Sequence, residues 1–247
     1  MTFHRLSEMT REQVKAVASH SLLVVPVAAT EQHGPHLPLG VDTLLTTAIA
    51  EQSCEKAGRS TAVVLTSTLA FGYSQYHLEY GAAMSLSTKT FQNVLVDLLL
   101  SASSSGFKRV FVLNGHGGND ELIRVCAREV VAKHEVMIGA ASYWSLADDA
   151  VQRMSILPSS WNYPGHAGDF ETSLMMSLYP SLVQGLPTPR ARNHSERGGN
   201  TVFKPHLQVG VDGYTDDARE AQASIGDRLM NAIVQEVANH LTSFSTL

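Results

Sequence analysis

The sequence predicts an α/β fold in three layers, a mainly parallel sheet with helices on both faces. Three observations predict it. Short apolar runs of strand length alternate with longer stretches of helical spacing. No repeat, low-complexity tract or linker interrupts the alternation. The 247 residues, 44% hydrophobic and 17% charged, suit one domain over 1–247 that buries about three quarters of its unfolded surface.

The elements follow in order. Leu22, Leu23, Val24, Val25, Pro26, Val27 and Ala28 form an apolar run of buried-strand length. Asp42 opens a helical pattern with Leu44, Leu45, Ala48 and Ile49 apolar, and Gly58 ends it. Residues 62–65 read as the next strand. Ser87 is placed to cap a helix carrying Phe91, Val94, Leu95, Leu98 and Leu99 on one face, stopped near Gly106. A third strand over 109–113, a helix over 122–133 and a fourth strand over 136–141 continue the alternation. After about residue 145 the pattern loosens. A helix is expected to begin near Asp169 and carry Phe170, Leu174 and Met175 inward. Residues 180–215, rich in Pro, Gly, Arg and Asn, read as loop with short strands. A last amphipathic helix over 216–240 carries Ala218, Ala221, Ile225, Leu229, Ile233 and Val237.

Charge and composition narrow the function. Lys and Arg total 18 against 23 Asp and Glu, a net −5, which argues against a nucleic-acid or membrane surface as partner. The longest apolar run, over 22–29, falls well short of the roughly 20 residues that span a bilayer. The first five residues lack the basic-then-apolar order of a signal peptide. Cys54 and Cys126 lie within helical patterns as buried thiols, so a reducing, cytoplasmic compartment is expected. Histidine is the oddity: of 11, His33, His36, His77, His116 and His166 fall in Gly-rich or turn-like segments.

Three segments carry the chemistry. The first strand runs into Thr30-Glu31-Gln32-His33-Gly34-Pro35-His36, with Asp42 at the head of the next helix. In an open α/β sheet, ligands bind beyond the carboxyl ends of the strands. Glu31 and His33, two apart, point to one side of an extended backbone. With Asp42 they form a mixed oxygen and nitrogen set suited to Zn²⁺, Mn²⁺ or Fe²⁺. The alternative makes Glu31 and His33 solvated loop residues and Asp42 a helix cap. The third strand ends in Asn114-Gly115-His116-Gly117-Gly118-Asn119, a second histidine at the same sheet edge. The third segment is Pro164-Gly165-His166-Ala167-Gly168-Asp169-Phe170-Glu171-Thr172-Ser173. There Glu171, beside an apolar run, needs a cation or hydrogen-bond donors if it is buried.

Together these motifs resemble the creatininase (creatinine amidohydrolase) family. The resemblance implies a Rossmann-like fold, commonly hexameric, with two divalent metal ions in each active site, Zn or Mn, with Fe as a further choice. It implies that Glu31, His33, Asp42 and His116 are metal ligands, that Asp42 bridges, and that His166 is the catalytic histidine. Where creatininase itself has a further metal-binding glutamate, this sequence has Gly118, which makes Glu171 the candidate fifth ligand. The residues that hold creatinine are missing around Gly117 and before His166, where Asn162 and Tyr163 stand, which argues against creatinine as substrate. Gly72-Tyr73-Ser74-Gln75-Tyr76-His77 resembles the family's substrate-side loop, but Gly81-Ala82-Ala83 replaces the usual continuation.

The implied activity is metal-dependent hydrolysis of a small molecule, in which activated water attacks a carbonyl and His166 moves the proton. The bond is expected to be a cyclic amide or another non-peptide C–N bond, with C–C ring opening of a sugar-like compound as the alternative. Other classes are a non-catalytic metal binder on the same scaffold and a metal-free hydrolase using Ser74 or Ser173, neither of which lies in a Gly-x-Ser-x-Gly elbow. Arg190, Arg192 and Arg197 either grip a substrate anion or lie on a solvated loop. His77 is either a substrate contact or a hydrogen-bonded core residue. His36 is expected to support the loop, and Tyr73 and Trp161 line a pocket or fill the core.

Overall fold

A computed structural model describes residues 2–157, 161, 163–186, 213–214 and 217–247. Among the described residues, five strands form one parallel sheet: β1 (Phe3–Arg5), β2 (Leu22–Val27), β3 (Val63–Leu65), β4 (Arg109–Asn114) and β5 (Met137–Ser142), in the order β1-β3-β2-β4-β5. Leu22 of β2 stands level with Val63 on one side and Arg109 on the other. Strands paired in parallel need crossover helices, which cover both faces and leave no strand face in water. β2 is accordingly buried at all six positions. Leu22 and Val24 enter one core, and Leu23, Val25 and Val27 enter the other.

Pro26 stands in this central strand at no cost to the ladder. Its carbonyl accepts from Leu69 N–H on the β3 side. The missing N–H of a parallel-strand residue points to that same side, where β3 has already ended at Leu65.

On one face lie α2 (Val41–Ala57), α5 (Tyr143–Arg153), α6 (Asp169–Leu178) and α7 (Ala223–Phe244). On the other lie α1 (Arg11–Val17), α3 (Thr88–Ser104) and α4 (Asp120–Val131). Ser87 caps α3 as its sequence predicts, accepting from Thr90 N–H. In α7, Leu229, Ile233, Val237 and Leu241 recur every fourth residue and are fully buried; each contributes roughly 1.5–3 kcal/mol of transfer free energy. α6 lies close against α7 because Gly226 has no side chain: a Cβ there would stand 2.0 Å from the Ser173 carbonyl oxygen. That contact fixes the helix bearing Glu171.

Several expectations shift. The last helix begins at Ala223, not at 216, and runs to Phe244. The expected helix over 122–133 is α4, two residues earlier at each end. α5 was not expected, although Tyr143, Ala147, Ala150 and Val151 are buried at helical spacing. The short edge strand β1 and the capped helix α1 were also missed. Of the expected loop over 180–215, Pro180–Leu182 is a 3₁₀ turn; residues 187–212, with Arg190, Arg192 and Arg197, lie outside the described residues, as does Asn162. Among the described residues no helix is long and apolar enough to cross a membrane.

Candidate metal centre

From β2 the chain steps outward through α2 to β3, then returns through α3 to β4 on the other side of β2. The connections after β2 and β4 therefore part in opposite directions, leaving a crevice at their carboxyl ends, where open α/β sheets bind ligands. The loop after β2 folds back on itself by a hydrogen bond from Glu31 N–H to the Leu39 carbonyl and a bridge between His33 and Leu37. Asp42 sits in the first turn of α2, where the helix N-terminus favours a carboxylate. His116 follows β4. Asn114 clamps its backbone, accepting from its N–H at 3.1 Å and donating to its carbonyl at 2.7 Å. Glu171 lies in the first turn of α6 and accepts from Ala167 N–H at 2.6 Å.

All five side chains predicted as ligands converge, and all are buried. They fall into two sets of mutually close donor atoms: Glu31, Asp42 and His116, and His33, Asp42 and Glu171. Asp42 belongs to both through different oxygens. Its Oδ1 lies 3.1 Å from His33 Nε2, and its Oδ2 lies 3.0 Å from His116 Nδ1. His33 Nε2 is 3.7 Å from Glu171 Oε2, and His116 Nδ1 is 3.4 Å from Glu31 Oε1.

The far ring nitrogens fix the near ones. His116 Nε2 lies 2.8 Å from the Tyr73 carbonyl, and His33 Nδ1 lies 3.2 Å from the Glu31 carbonyl. A carbonyl only accepts, so those nitrogens carry the protons. His116 Nδ1 and His33 Nε2 then face the carboxylates, the arrangement that outer hydrogen bonds impose on metal-binding imidazoles.

The electrostatics ask for positive charge. Three carboxylates are buried together, and Glu31 Oε2 is buried without a hydrogen-bond partner. Burial lowers both imidazoles, but the charges of Asp42 and Glu171 raise His33 well above its ordinary 6.5, and Glu31 and Asp42 do the same for His116. Burial raises Glu31 and Asp42, yet His116 brings Glu31 down to about 2, and His33 and His116 lower Asp42. Protons on the imidazoles thus stand in the places of cations. The donor set, mixed nitrogen and oxygen with one shared carboxylate, fits two divalent ions.

His166 also reaches the crevice. Its Nε2 lies 3.1 Å from the Gln32 carbonyl, so Nδ1 carries the lone pair, 3.7 Å from Glu31 Oε1. Burial, then the charge of His33, lowers its pKa. Its ring lies 4.4 Å from that of His33 and 4.6 Å from that of His77. His166 forms a third close set with Glu31 and His33.

His36 Nε2 bonds Thr172 Oγ1 at 3.0 Å, joining the first loop to α6 as a supporting residue. Tyr73 contributes its carbonyl rather than its ring, which no side-chain pattern reveals. Trp161 donates to Glu220 Oε2 at 3.0 Å. Ser74 Oγ is 3.4 Å from a His116 nitrogen whose proton the Tyr73 carbonyl already takes, so that ring cannot act as its base. Gly118 admits no side chain, since a Cβ would stand 2.2 Å from the Tyr73 carbonyl oxygen and 2.6 Å from His116 Nε2. Gln32 carries no signal in the sequence, and the role of Asn114 has one only in its place two residues before His116, the spacing of an Asx-type turn. A cavity of about 530 Å³ opens beside Gln32, lined by Pro35, Leu39, Tyr80 and Tyr214 among others.

Comparison with known proteins gives the same picture of the whole chain. The family model described as creatininase, creatinine amidohydrolase, matches residues 7–241. Creatinine amidohydrolase of Pseudomonas putida is 28% identical over 257 residues, covering 95% of this chain and 94% of that protein. The mycofactocin precursor peptide peptidase of Mycolicibacterium smegmatis is 30% identical over 230 residues, covering 89% and 84%. A solved structure titled "Creatininase Mn" superposes with a TM-score of 0.80 at 26% identity, covering 97% of each chain.

Proposed function

The chain belongs to the creatininase family of metal-dependent hydrolases, and from that premise we propose that it hydrolyses a small cyclic amide or another non-peptide C–N bond. The ions would be Zn or Mn, with Fe as a third choice. Glu31, Asp42 and His116 would hold one, and His33, Asp42 and Glu171 the other. The observation that carries this reading is the division of Asp42, whose two oxygens face different histidines. A bound pair of divalent ions would lower the pKa of water toward neutrality and polarise a carbonyl.

The chain's own residues do the rest. Asp42 fixes the spacing of the two sets. Glu171 supplies the carboxylate for which Gly118 leaves no room. His166, anchored through Nε2–H to the Gln32 carbonyl, presents the Nδ1 lone pair to the crevice. Its lowered pKa keeps it neutral and ready to take a proton and pass it to the leaving nitrogen. The cavity beside Gln32, with Tyr80, Tyr214, Leu39 and Pro35 on its wall, would take the body of the substrate. In this reading the protein is a single-domain cytoplasmic enzyme and a homo-oligomer, hexameric by resemblance to its family.

The test is metal analysis of the purified, metal-replete protein, paired with a panel of lactams, formamides, creatinine, small modified peptides and cyclic ketones. About two ions per chain and turnover of a lactam or formamide are expected. Turnover confined to cyclic ketones would overturn the C–N reading, and protein that takes up no metal would overturn the metal reading.

A further inference from the structure

We infer that His77, held in one tautomer by Gln32, is a positioning residue for Glu31; the inference rests on the metal reading above. Gly34 N–H donates to Gln32 Oε1 at 2.9 Å. The other end of that side chain, Nε2, therefore faces the Gly213 carbonyl and His77 Nδ1, the latter at 2.8 Å. Turning the amide over would press oxygen against the Gly213 carbonyl and set two N–H donors against each other at Gly34, so its orientation is fixed.

His77 Nδ1 must then accept, and the proton of the neutral ring sits on Nε2. That nitrogen lies 3.2 Å from Glu31 Oε1. A donor aimed at a buried carboxylate orients it and offsets part of its charge, as outer hydrogen bonds do for metal-binding side chains. The same geometry excludes two other roles. With its proton on Nε2, His77 has no lone pair to offer an ion. With Nδ1 engaged by Gln32, it cannot pass a proton through the ring. His77 is therefore neither ligand nor catalytic residue.

Both outer contacts come from one connection between β3 and α3. Tyr73 fixes His116 through its carbonyl, and four residues later His77 fixes Glu31 from a 3₁₀ turn whose geometry includes a bond from His77 N–H to the Ser74 carbonyl. This loop, which supplies no ligand itself, sets the direction of two of the three donors in the first set.

The experiment measures Mn²⁺ affinity and stoichiometry by equilibrium dialysis with electron paramagnetic resonance, and steady-state kinetics, for wild type, His77→Leu and His77→Gln. Leucine removes the donor; glutamine restores an N–H at the position of Nε2. His77→Leu is expected to weaken one of the two ions about 10–100-fold and to lower kcat with little change in KM, and His77→Gln to recover most of the loss. Wild-type Mn²⁺ affinity in His77→Leu, or a glutamine variant as weak as leucine, overturns the inference while leaving the metal reading standing. Should the leucine variant fail to fold, His77→Asn, whose shorter side chain cannot carry an N–H to the position of Nε2, takes its place: affinity lost with asparagine and kept with glutamine supports the inference, and equal affinity in both overturns it. Wild-type protein that binds no Mn²⁺ overturns the metal reading and this inference with it.

Discussion

The two donor sets are built by different parts of the chain. Glu31 and His116 follow the ends of β2 and β4, Asp42 comes from the first turn of α2, the helix that leaves β2 for β3, and each is held from outside. His77 donates to Glu31, Tyr73 and Asn114 hold His116, and Asp42 lies within the first turn of α2. The second set shares Asp42 and takes His33 from the same loop, but Glu171 arrives on α6, whose place depends on packing against α7. Its closest approach to His33 is correspondingly looser, 3.7 Å against the 3.1 Å between His33 and Asp42. Sheet topology alone assembles the first set; the second also needs the C-terminal helices docked.

Asp42 is the element the two sets share, so its loss gives the largest effect. Asp42→Ala should take the metal content from about two ions to near zero and lower activity by more than the roughly 10²-fold that losing an outer hydrogen bond can cost. Metal analysis beside kinetics checks this. Retention of one tightly held ion would mean the sets are independent and Asp42 does not bridge.

His166→Ala comes next and sharpens the comparison from another side. Removing a proton-transfer group should lower kcat about 10²–10⁴-fold while both ions stay. Loss of an ion would place His166 among the donors, as its proximity to Glu31 and His33 allows, and the centre would then have a third set.

Glu171→Ala separates the sets directly. One ion should go and one remain, with the remaining affinity close to that of the tighter wild-type site. Loss of both would show that α6 supports the first set as well.

How much of this was legible is itself a matter of which forces act locally. The central strands, α2, α3 and α4 could be read because apolar periodicity and caps such as Ser87 are properties of adjacent residues. Glu31, His33, Asp42 and His116 could be read because residues that follow strand ends share a crevice by topology, whereas Glu171, on α6, was indicated through the family resemblance. Gln32 was hidden because its partners, Gly34, His77 and Gly213, lie up to 181 residues away in sequence, and Tyr73 because it acts through its backbone. β1 was hidden because three residues carry too little alternation, whereas α5 was missed though its spacing was present.

The dependence on pH follows from the same electrostatics. Without metal, His33 and His116 are held protonated well above 6.5, so their pairing supports the fold fully below that value and is lost as pH rises through the raised values. Glu31, held down at about 2, supports the fold above the ordinary carboxylate range and loses this as pH falls through 2. Metal ions need neutral imidazoles, so binding expels protons and tightens as pH rises, by up to about tenfold per unit for each proton released. The difference in Tm between Mn²⁺-loaded and chelator-treated protein should therefore widen from about pH 6 to about pH 9. A constant difference would mean that the imidazoles are already neutral without metal.

The smallest effect probes how the second set leans on its helix. Thr172 follows Glu171 on α6, and its hydroxyl meets His36 Nε2 at 3.0 Å with both side chains fully buried. Thr172→Val keeps the shape and removes the hydroxyl, leaving a buried imidazole nitrogen without that partner. This should cost about 1–3 kcal/mol, a fall in Tm of a few degrees, roughly 2–4 °C per kcal/mol for a chain of this size. Because His36 touches α6 and none of the first set's donors, Mn²⁺ titration should find the weaker ion loosened a few-fold and the tighter one unchanged. Equal loosening of both would mean that the first loop and α6 move as one body, and that the division between a sheet-built set and a helix-dependent set is wrong.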